Sequence, residues 1–340
     1  MSLDPEFAQR LRSSTEKLFN LLDVFDQGKV LAIGDMRLDE FLYGKVKDFS
    51  QEAPVLVLRH EETQRTLGAA ANTVYNLALL GAQVKAVGLI GRDERGKAMR
   101  NLLKTNLVNT DGLLNDESRP TFTETRILGY SQPFMRQQIV RIDRKSDDLP
   151  KPDSQLNLAE YIKEQMNSVD VVVCCDYGEG TLTRPVISAA LEAPRVVIKV
   201  HEHLERYRGA NYFILSKSEA EKIIGYKLTD QETLNQTGKD LLALTQAKYI
   251  LINCWKEGMN IFERNQQSQY IPPFNWDEVL DIAGADDTLT ATLSLALAVG
   301  ASIWEAAILA NLATSTVVRQ FGKTRITHEE MKMGLKILVE

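Results

Sequence analysis

Short apolar runs punctuate this chain, and between them the apolar positions recur three or four residues apart. The runs are KVLAIGD (29–35), VKAVGLIG (84–91), VDVVVCCD (169–176), RVVIKV (195–200), NYFIL (211–215) and KYILINC (248–254). A run of this length with no polar face suits a strand buried on both sides, as in a parallel sheet. Helical spacing covers 70–81, 94–104, 155–167, 183–192, 217–224 and 231–245. Strand and helix therefore alternate, which predicts a mostly parallel sheet with helices on both faces and ligands outside the carboxyl ends of its strands. Residues 40–66 and 120–144 break the rhythm, alternating polar with apolar as exposed antiparallel strands do. They predict a small second sheet whose apolar face covers a substrate or a partner chain.

One more pattern carries chemistry. DIAGADDTLTATLSLALAVG (281–300) is a cluster of acidic and tiny residues opening into a long apolar helix. An aspartate there is an ordinary N-cap, because its oxygen accepts from the unpaired amides of the first turn. Gly284 and Ala285 also leave the backbone uncovered, and bare amides at a helix start favour an anion such as phosphate. An acid beside a phosphate points to proton transfer, so Asp286 and Asp287 are candidates for more than capping.

Composition narrows the class. The 340 residues are 44% hydrophobic and 25% charged, as in a globular protein with a large core. A net charge of -6 argues against a nucleic-acid partner, which needs a basic face. The apolar segments are too short to span a membrane, and the N-terminus lacks the apolar core of a signal peptide. Cys174, Cys175 and Cys254 sit in or beside strand-like runs and read as buried reduced thiols, which with the missing leader predicts a cytoplasmic protein. Two histidines in HEH (201–203) have no third metal ligand nearby and read as a surface loop. There is no Walker loop and no GxGxxG fingerprint.

Several segments in order, GDMRLDEFLYG, GAAANTVYNLALLGAQVKAVGLIGRDERG, RPTFTETRI, CDYGEGTLT, RYRGANYFILSKSEAE and DIAGADDT, resemble the ribokinase-like (phosphofructokinase B) sugar kinases. The branch they resemble most is the heptose 7-phosphate kinases, the kinase half of the ADP-heptose synthesis enzymes. The resemblance runs from about residue 28 and implies a three-layer α/β/α fold: residues 29–340 as the kinase domain, residues 1–28 as a helical extension, and a β lid that commonly mediates a homodimer. It also implies ATP, Mg2+ and in places K+ as cofactors, and a phosphorylated sugar as substrate. By position, Asp287 matches the general base, and the amides of Gly284, Ala285, Asp286 and Asp287 match the anion hole. Asp281 matches a monovalent-cation ligand, and Glu219 the acid that acts on magnesium through water. Asp39, Gly68, Ala69, Asn72 and Asp176 fall at substrate-facing positions. Ser216, Asn253, Trp255, Gly258 and Asn311 fall around the nucleotide. Taken singly, Asn72 also reads as a helix cap and Asp176 as a turn residue.

The departures from the family pattern gather at one site. An anion-hole glycine is Asp286. The Asn of N-x-x-E is Ser216, a small loop glycine is Trp255, a strand-end Asp is Lys199, and the second glycine of the substrate loop is Ala69. Basic positions near the phosphates read Glu124 and Glu179. Turned inward, Asp286 would repel a triphosphate by about 4 kcal/mol at ~4 Å and an effective dielectric of 20. Turned otherwise, it caps its own amides or recruits a further magnesium. Beside Asp287 it also raises that neighbour's pKa. Trp255 either fills nucleotide space or stacks on an adenine. Two functions follow as expectations: an ATP-dependent sugar kinase with Asp287 as base, or a pseudokinase that keeps the fold as a sugar- or nucleotide-binding or regulatory dimer.

Overall fold

The computed structural model describes residues 4–130, 136–274, 279–320 and 325–339. The chain opens with helix α1 (Pro5–Asp23), started by Asp4, whose Oδ1 accepts from the Glu6 and Phe7 amides at 3.0 and 3.1 Å. Then come β1 (Lys29–Gly34), β2 (Met36–Phe49), β3 (Leu56–Ala69), α2 (Ala70–Leu79), β4 (Gln83–Gly91), α3 (Glu94–Thr105) and β5 (Asn109–Asp116). The middle holds β6 (Thr123–Tyr130), β7 (Gln137–Arg144), α4 (Pro152–Gln165), β8 (Val171–Asp176), α5 (Arg184–Leu191), β9 (Val196–Val200), β10 (Tyr212–Ser216) and α6 (Lys217–Ile224). The remainder is α7 (Gln231–Thr245), β11 (Tyr249–Asn253), β12 (Met259–Glu263), β13 (Gln269–Ile271), α8 (Ala285–Ala298), α9 (Ile303–Val317) and α10 (His328–Val339).

Among the described residues the main sheet runs β13-β12-β11-β10-β9-β8-β1-β4-β5. It is parallel from β11 to β5, with β12 and β13 added antiparallel at one edge. Its strands bury side chains on both faces. One face carries Leu11, Leu18 and Leu22 of α1 together with Leu77, Leu293 and Leu309 of α2, α8 and α9. The other carries Leu158, Val186 and Leu241 of α4, α5 and α7. The residues set apart above as an N-terminal extension therefore share the main core through α1. The three cysteines are free and buried, as expected, and burial pushes the Cys175 thiol up to about 12.

Strand order reverses between β1 and β8: the chain steps outward through β4 and β5 on one side and through β9, β10 and β11 on the other. Such a switch leaves a crevice at the carboxyl ends of the two central strands, where Asp35 and Asp176 emerge. No helix of the described residues is long and apolar enough to cross a membrane.

The second sheet has the order β3-β2-β6-β7. Its outer pairs are antiparallel, but the central β2–β6 pair is parallel, Leu38 lying opposite Thr123 and Lys45 opposite Tyr130. The alternation pattern alone had read the whole sheet as antiparallel. The difference follows from connectivity: β2 leaves β1 and β6 leaves β5, two parallel strands whose carboxyl ends point the same way. Residues 131–135, within the second lid stretch, lie outside the described residues. The lid is anchored by Glu40, 2% exposed, which accepts from Arg65 and from Arg95 of α3, both at 2.9 Å, and from Thr125 at 3.0 Å. A buried carboxylate needs such partners, and losing one strands the charge.

Candidate active site

Helix α8 begins at the crevice. Gly284 takes φ 71, a left-handed turn that a glycine adopts without strain. The Ala285 amide closes back on the Ile282 carbonyl at 3.2 Å, and the Thr288 amide is the next to be bonded, to the Gly284 carbonyl at 3.0 Å. Among the described residues no side chain caps this helix, so the amides of Asp286 and Asp287 present a partly positive helix end. Asp286 therefore does not cap its own amides, contrary to one expectation: the buried Lys199 ammonium draws its carboxylate away.

Asp287 is buried and held from two other elements. Asn72, in the first turn of α2, donates to its Oδ2 at 2.8 Å. The Tyr177 hydroxyl, just past β8, donates to Oδ1 at 2.5 Å, and Thr73 reaches the same oxygen at 3.4 Å. Asn76, one turn further along α2, bonds the Asn72 carbonyl at 3.0 Å and accepts from Thr288 at 3.2 Å, locking α2 to α8. Burial raises the Asp287 pKa above that of an ordinary aspartate, the Tyr177 and Asn72 hydrogen bonds pull it back, and Asp286 pushes it up again. Hydrogen bonds to a charged group are worth roughly 1.5–3 kcal/mol each, which is what allows an acid to stay in so dry a place.

Tyr177 is placed by Asp35, which carried no role in the sequence reading. Asp35 is 1% exposed, and its carboxylate accepts the backbone amides of Tyr177 (2.9 Å), Glu179 (3.1 Å) and Thr181 (2.9 Å). Burial raises its pKa against those three bonds. The only sequence signals were a Gly-Asp at the end of an apolar run and a tyrosine inside the DYGEG segment.

A second cluster lies beside the first. Lys199, on β9 and 1% exposed, sends its Nζ to both oxygens of Glu219 (2.9 and 2.7 Å) and to Asp286 (3.4 Å). Glu219 also accepts the Ser216 amide at 2.7 Å and pairs with His201. Ser216 and Glu219 form a capping box at the start of α6, so the serine that replaced the motif asparagine works as a helix cap. Burial opposes charge on Glu219, but His201 and Lys199 bring its pKa down to about 2. Burial would lower the Lys199 pKa, yet Asp286 and Glu219 raise it above the ordinary lysine value. In HEH, His201 thus meets Glu219, and among the described residues no group of three or more His, Cys, Asp or Glu is placed to hold a metal.

The other unexpected acids are likewise answered. Glu124 is surrounded by Arg37, Arg126 and Arg141, and Glu179 faces Lys145 at 3.1 Å. Asp39 pairs with Arg37 at 2.8 Å, and this pair lies so close to Gly68 that a Cβ there would sit 2.5 Å from Asp39 Oδ2. Ala69 occupies φ 50, a conformation that strains a non-glycine residue by about 1–3 kcal/mol.

The remaining candidates scatter. Both oxygens of Asp176 are engaged, one by the Gly178 amide and the other by Arg206 (3.1 Å) and Tyr207 (2.6 Å), which is the turn role. Asn253 accepts the Trp255 amide at 3.0 Å, and the Trp255 indole packs against Ala285 and Val318 at the foot of α8. Gly258 has φ 86, and a Cβ there would meet the Ile271 carbonyl at 2.4 Å. Asn311 on α9 donates to the Pro272 carbonyl at 2.8 Å. The Asp281 Oδ1 accepts the Ala283 amide at 2.9 Å. The structure therefore joins Asn72 with Asp287 and Asp286 with Glu219, and leaves Asp176 and Asn311 with structural partners of their own.

Comparison with known proteins agrees with this architecture. Residues 27–330 match the family described as "pfkB family carbohydrate kinase". The bifunctional protein HldE of Desulfatibacillum aliphaticivorans is 34% identical over 325 residues, covering 93% of this chain and 64% of that protein. The HldE of Citrifermentans bemidjiense is 35% identical over 309 residues, covering 89% of this chain and 62% of its own length. The chain thus spans less than two thirds of these relatives. Among solved structures, Arabidopsis thaliana ribokinase complexed with ribose and ATP superposes with a TM-score of 0.71 at 18% identity, covering 91% of this chain and 98% of that one. Escherichia coli phosphofructokinase-2 in complex with potassium gives 0.70 at 15%, covering 92% and 99%.

Proposed function

Because the chain belongs to the pfkB family of carbohydrate kinases, we propose that it phosphorylates a hydroxyl of a phosphorylated sugar with ATP, in the manner of a heptose 7-phosphate 1-kinase, with Asp287 as general base. The observation that carries this reading is the setting of Asp287. It is a buried carboxylate in the first turn of α8, next to uncapped amides, at the switch between β1 and β8. Its raised pKa makes it a stronger base, while the Tyr177 and Asn72 hydrogen bonds favour its charged form. An acceptor hydroxyl at that carboxylate loses its proton to Asp287 as its oxygen attacks the γ-phosphorus, and the bond from that phosphorus to the bridging oxygen breaks so that ADP leaves. Charge then gathers on the transferred oxygens, where the Asp286 and Asp287 amides meet it.

The heptose assignment draws on the HldE relatives, and the potassium assignment on Asp281 by resemblance. Magnesium bound with the nucleotide would draw off phosphate charge. Glu219 does not fit the role of holding its water, since Lys199, His201 and the Ser216 amide fill both its oxygens.

Purified protein with ATP, magnesium, potassium and a panel of heptose phosphates is expected to release ADP; silence across sugars and nucleotides overturns the reading. On its acid side, kcat/KM is expected to rise with pH through a pKa above the ordinary aspartate value. Tyr177→Phe should move that limb to higher pH, because it removes a bond that favours the charged form. A limb that stays put removes Tyr177 from the mechanism.

A second reading, a sugar-binding protein of this fold without turnover, is favoured by one observation, the filled Glu219. Thermal shift separates the two, since stabilisation by Mg-ATP counts against a closed nucleotide site. Our reading also includes self-association through the lid, whose Phe49, Val55, Val57 and Val140 are exposed. Sedimentation over a concentration series tests it, and a monomer throughout rejects it.

A further inference from the structure

We infer that Lys199 is a positioning residue of the phosphate site: its buried ammonium occupies Glu219 in place of any metal-bound water and tethers Asp286 aside, leaving the first amides of α8 open to phosphate. The inference rests on the kinase reading above and adds a role for a residue to which that reading gives none.

A carboxylate offers about four acceptor positions. On Glu219, Lys199 takes two, His201 one and the Ser216 amide one. A water bridging to a metal would have to displace one of them, and the buried Lys199 ammonium is the cation that makes the charge bearable inside the protein. Glu219 is thus a structural carboxylate whose cation is part of the chain.

Asp286 shows the other half of the arrangement. An aspartate in the first turn of a helix ordinarily turns toward nearby amides. Here α8 has no side-chain cap among the described residues, and the Asp286 carboxylate points to Lys199 instead. Its Oδ1 is buried and, among the described residues, has no hydrogen-bond partner. A carboxylate in that condition is held by the ammonium alone. Without the lysine it would swing to the nearest donors, its own helix amides, and close the site with a negative charge. Lys199 and Asp286 are far apart in sequence, two of the departures that gather at this site; in space they are one pair.

The pairing predicts a particular non-additivity. Binding of the non-hydrolysable analogue AMPPNP with Mg2+ is measured by calorimetry, and the metal affinity of the complex by Mn2+ electron paramagnetic resonance. Lys199→Met is expected to weaken AMPPNP binding about tenfold or more. Adding Asp286→Gly to Lys199→Met should recover most of that loss, and Lys199→Arg, which keeps a cation, should stay near wild type. Glu219→Gln should leave Mn2+ affinity within about twofold. Should Lys199→Met not fold, Lys199→Met with Glu219→Gln removes both buried charges together, and the same recovery by Asp286→Gly is expected on that background. Failure of Asp286→Gly to recover binding on either background, or a large loss of Mn2+ affinity in Glu219→Gln, overturns the inference. Wild-type protein that binds no AMPPNP at all overturns the kinase reading and this inference with it. Binding without the predicted recovery removes this inference alone.

Discussion

Asp287→Asn is expected to yield a folded protein whose turnover falls roughly a hundred- to ten-thousandfold, the range general-base catalysis supplies. The substitution keeps size and shape. The new amide can turn its oxygen to Asn72 and its NH2 to the Tyr177 hydroxyl, which accepts as well as donates. What it removes is the lone pair that takes the proton. Stability should move the other way. A carboxyl whose folded pKa is raised binds its proton more tightly when folded, so its contribution is best at low pH and declines as pH rises through that pKa. The variant should therefore match wild type in acid and become the more stable of the two as pH rises above the ordinary aspartate range. Single-turnover ADP release and melting at several pH values check both halves. Retained turnover would mean that Asp287 is not the base. Lost turnover with lost stability at neutral pH would mean that its role is structural.

The candidate base and Asn72 beside it were both named from the sequence; how the charges around them pair was not legible there. The pair Asp286 and Asp287 stood out because a helix start with tiny residues is a local pattern, and the family resemblance then singled out Asp287. Charge balance is not local. Glu124, Glu179 and Asp286 read as bare negative charges at a phosphate site, an argument for altered nucleotide use, altered substrate or lost catalysis. In space Glu124 has three arginines, Glu179 has Lys145 and Asp286 has Lys199. A sequence states each charge and withholds its neighbour, so acids that looked like bare charges are paired in space.

The same distinction holds for the fold. The central strands were legible because burial on both faces leaves an unbroken apolar run, as in VVVCCD of β8. Strand β5, NTDGLLND, sits at the sheet edge, where part of its surface meets water and the run dissolves into polar residues. β12 and β13 escaped because they extend the opposite edge with short antiparallel segments. Helix α9, IWEAAILANLATSTV, is buried nearly all round, so no polar face marks its period.

The second large effect falls on a residue with no assigned chemistry. Asp35→Ala is expected to cost about 3–5 kcal/mol of stability, because it orphans three backbone amides at once, each worth about 1–3 kcal/mol when buried without a partner. Water cannot readily replace the carboxylate, since the position is 1% exposed. Relief of the buried charge opposes this cost, and Asp35→Asn separates the two contributions: it removes the charge, keeps one acceptor oxygen, and sets an NH2 against at least one amide. Its loss should fall between wild type and alanine. The functional consequence travels through Tyr177, whose amide is one of the three. With that loop released, the phenol no longer holds Asp287, and the acid limb of the rate profile should move to higher pH, as in Tyr177→Phe. Combining the two substitutions should move it little further than either does alone, since both act through one hydrogen bond. Urea midpoints for the two Asp35 variants and pH profiles for the cycle provide the check. Asp35→Ala within about 1 kcal/mol of wild type would show that the loop finds other partners. Additive pH shifts would mean that Asp35 reaches Asp287 by a route other than the Tyr177 hydroxyl.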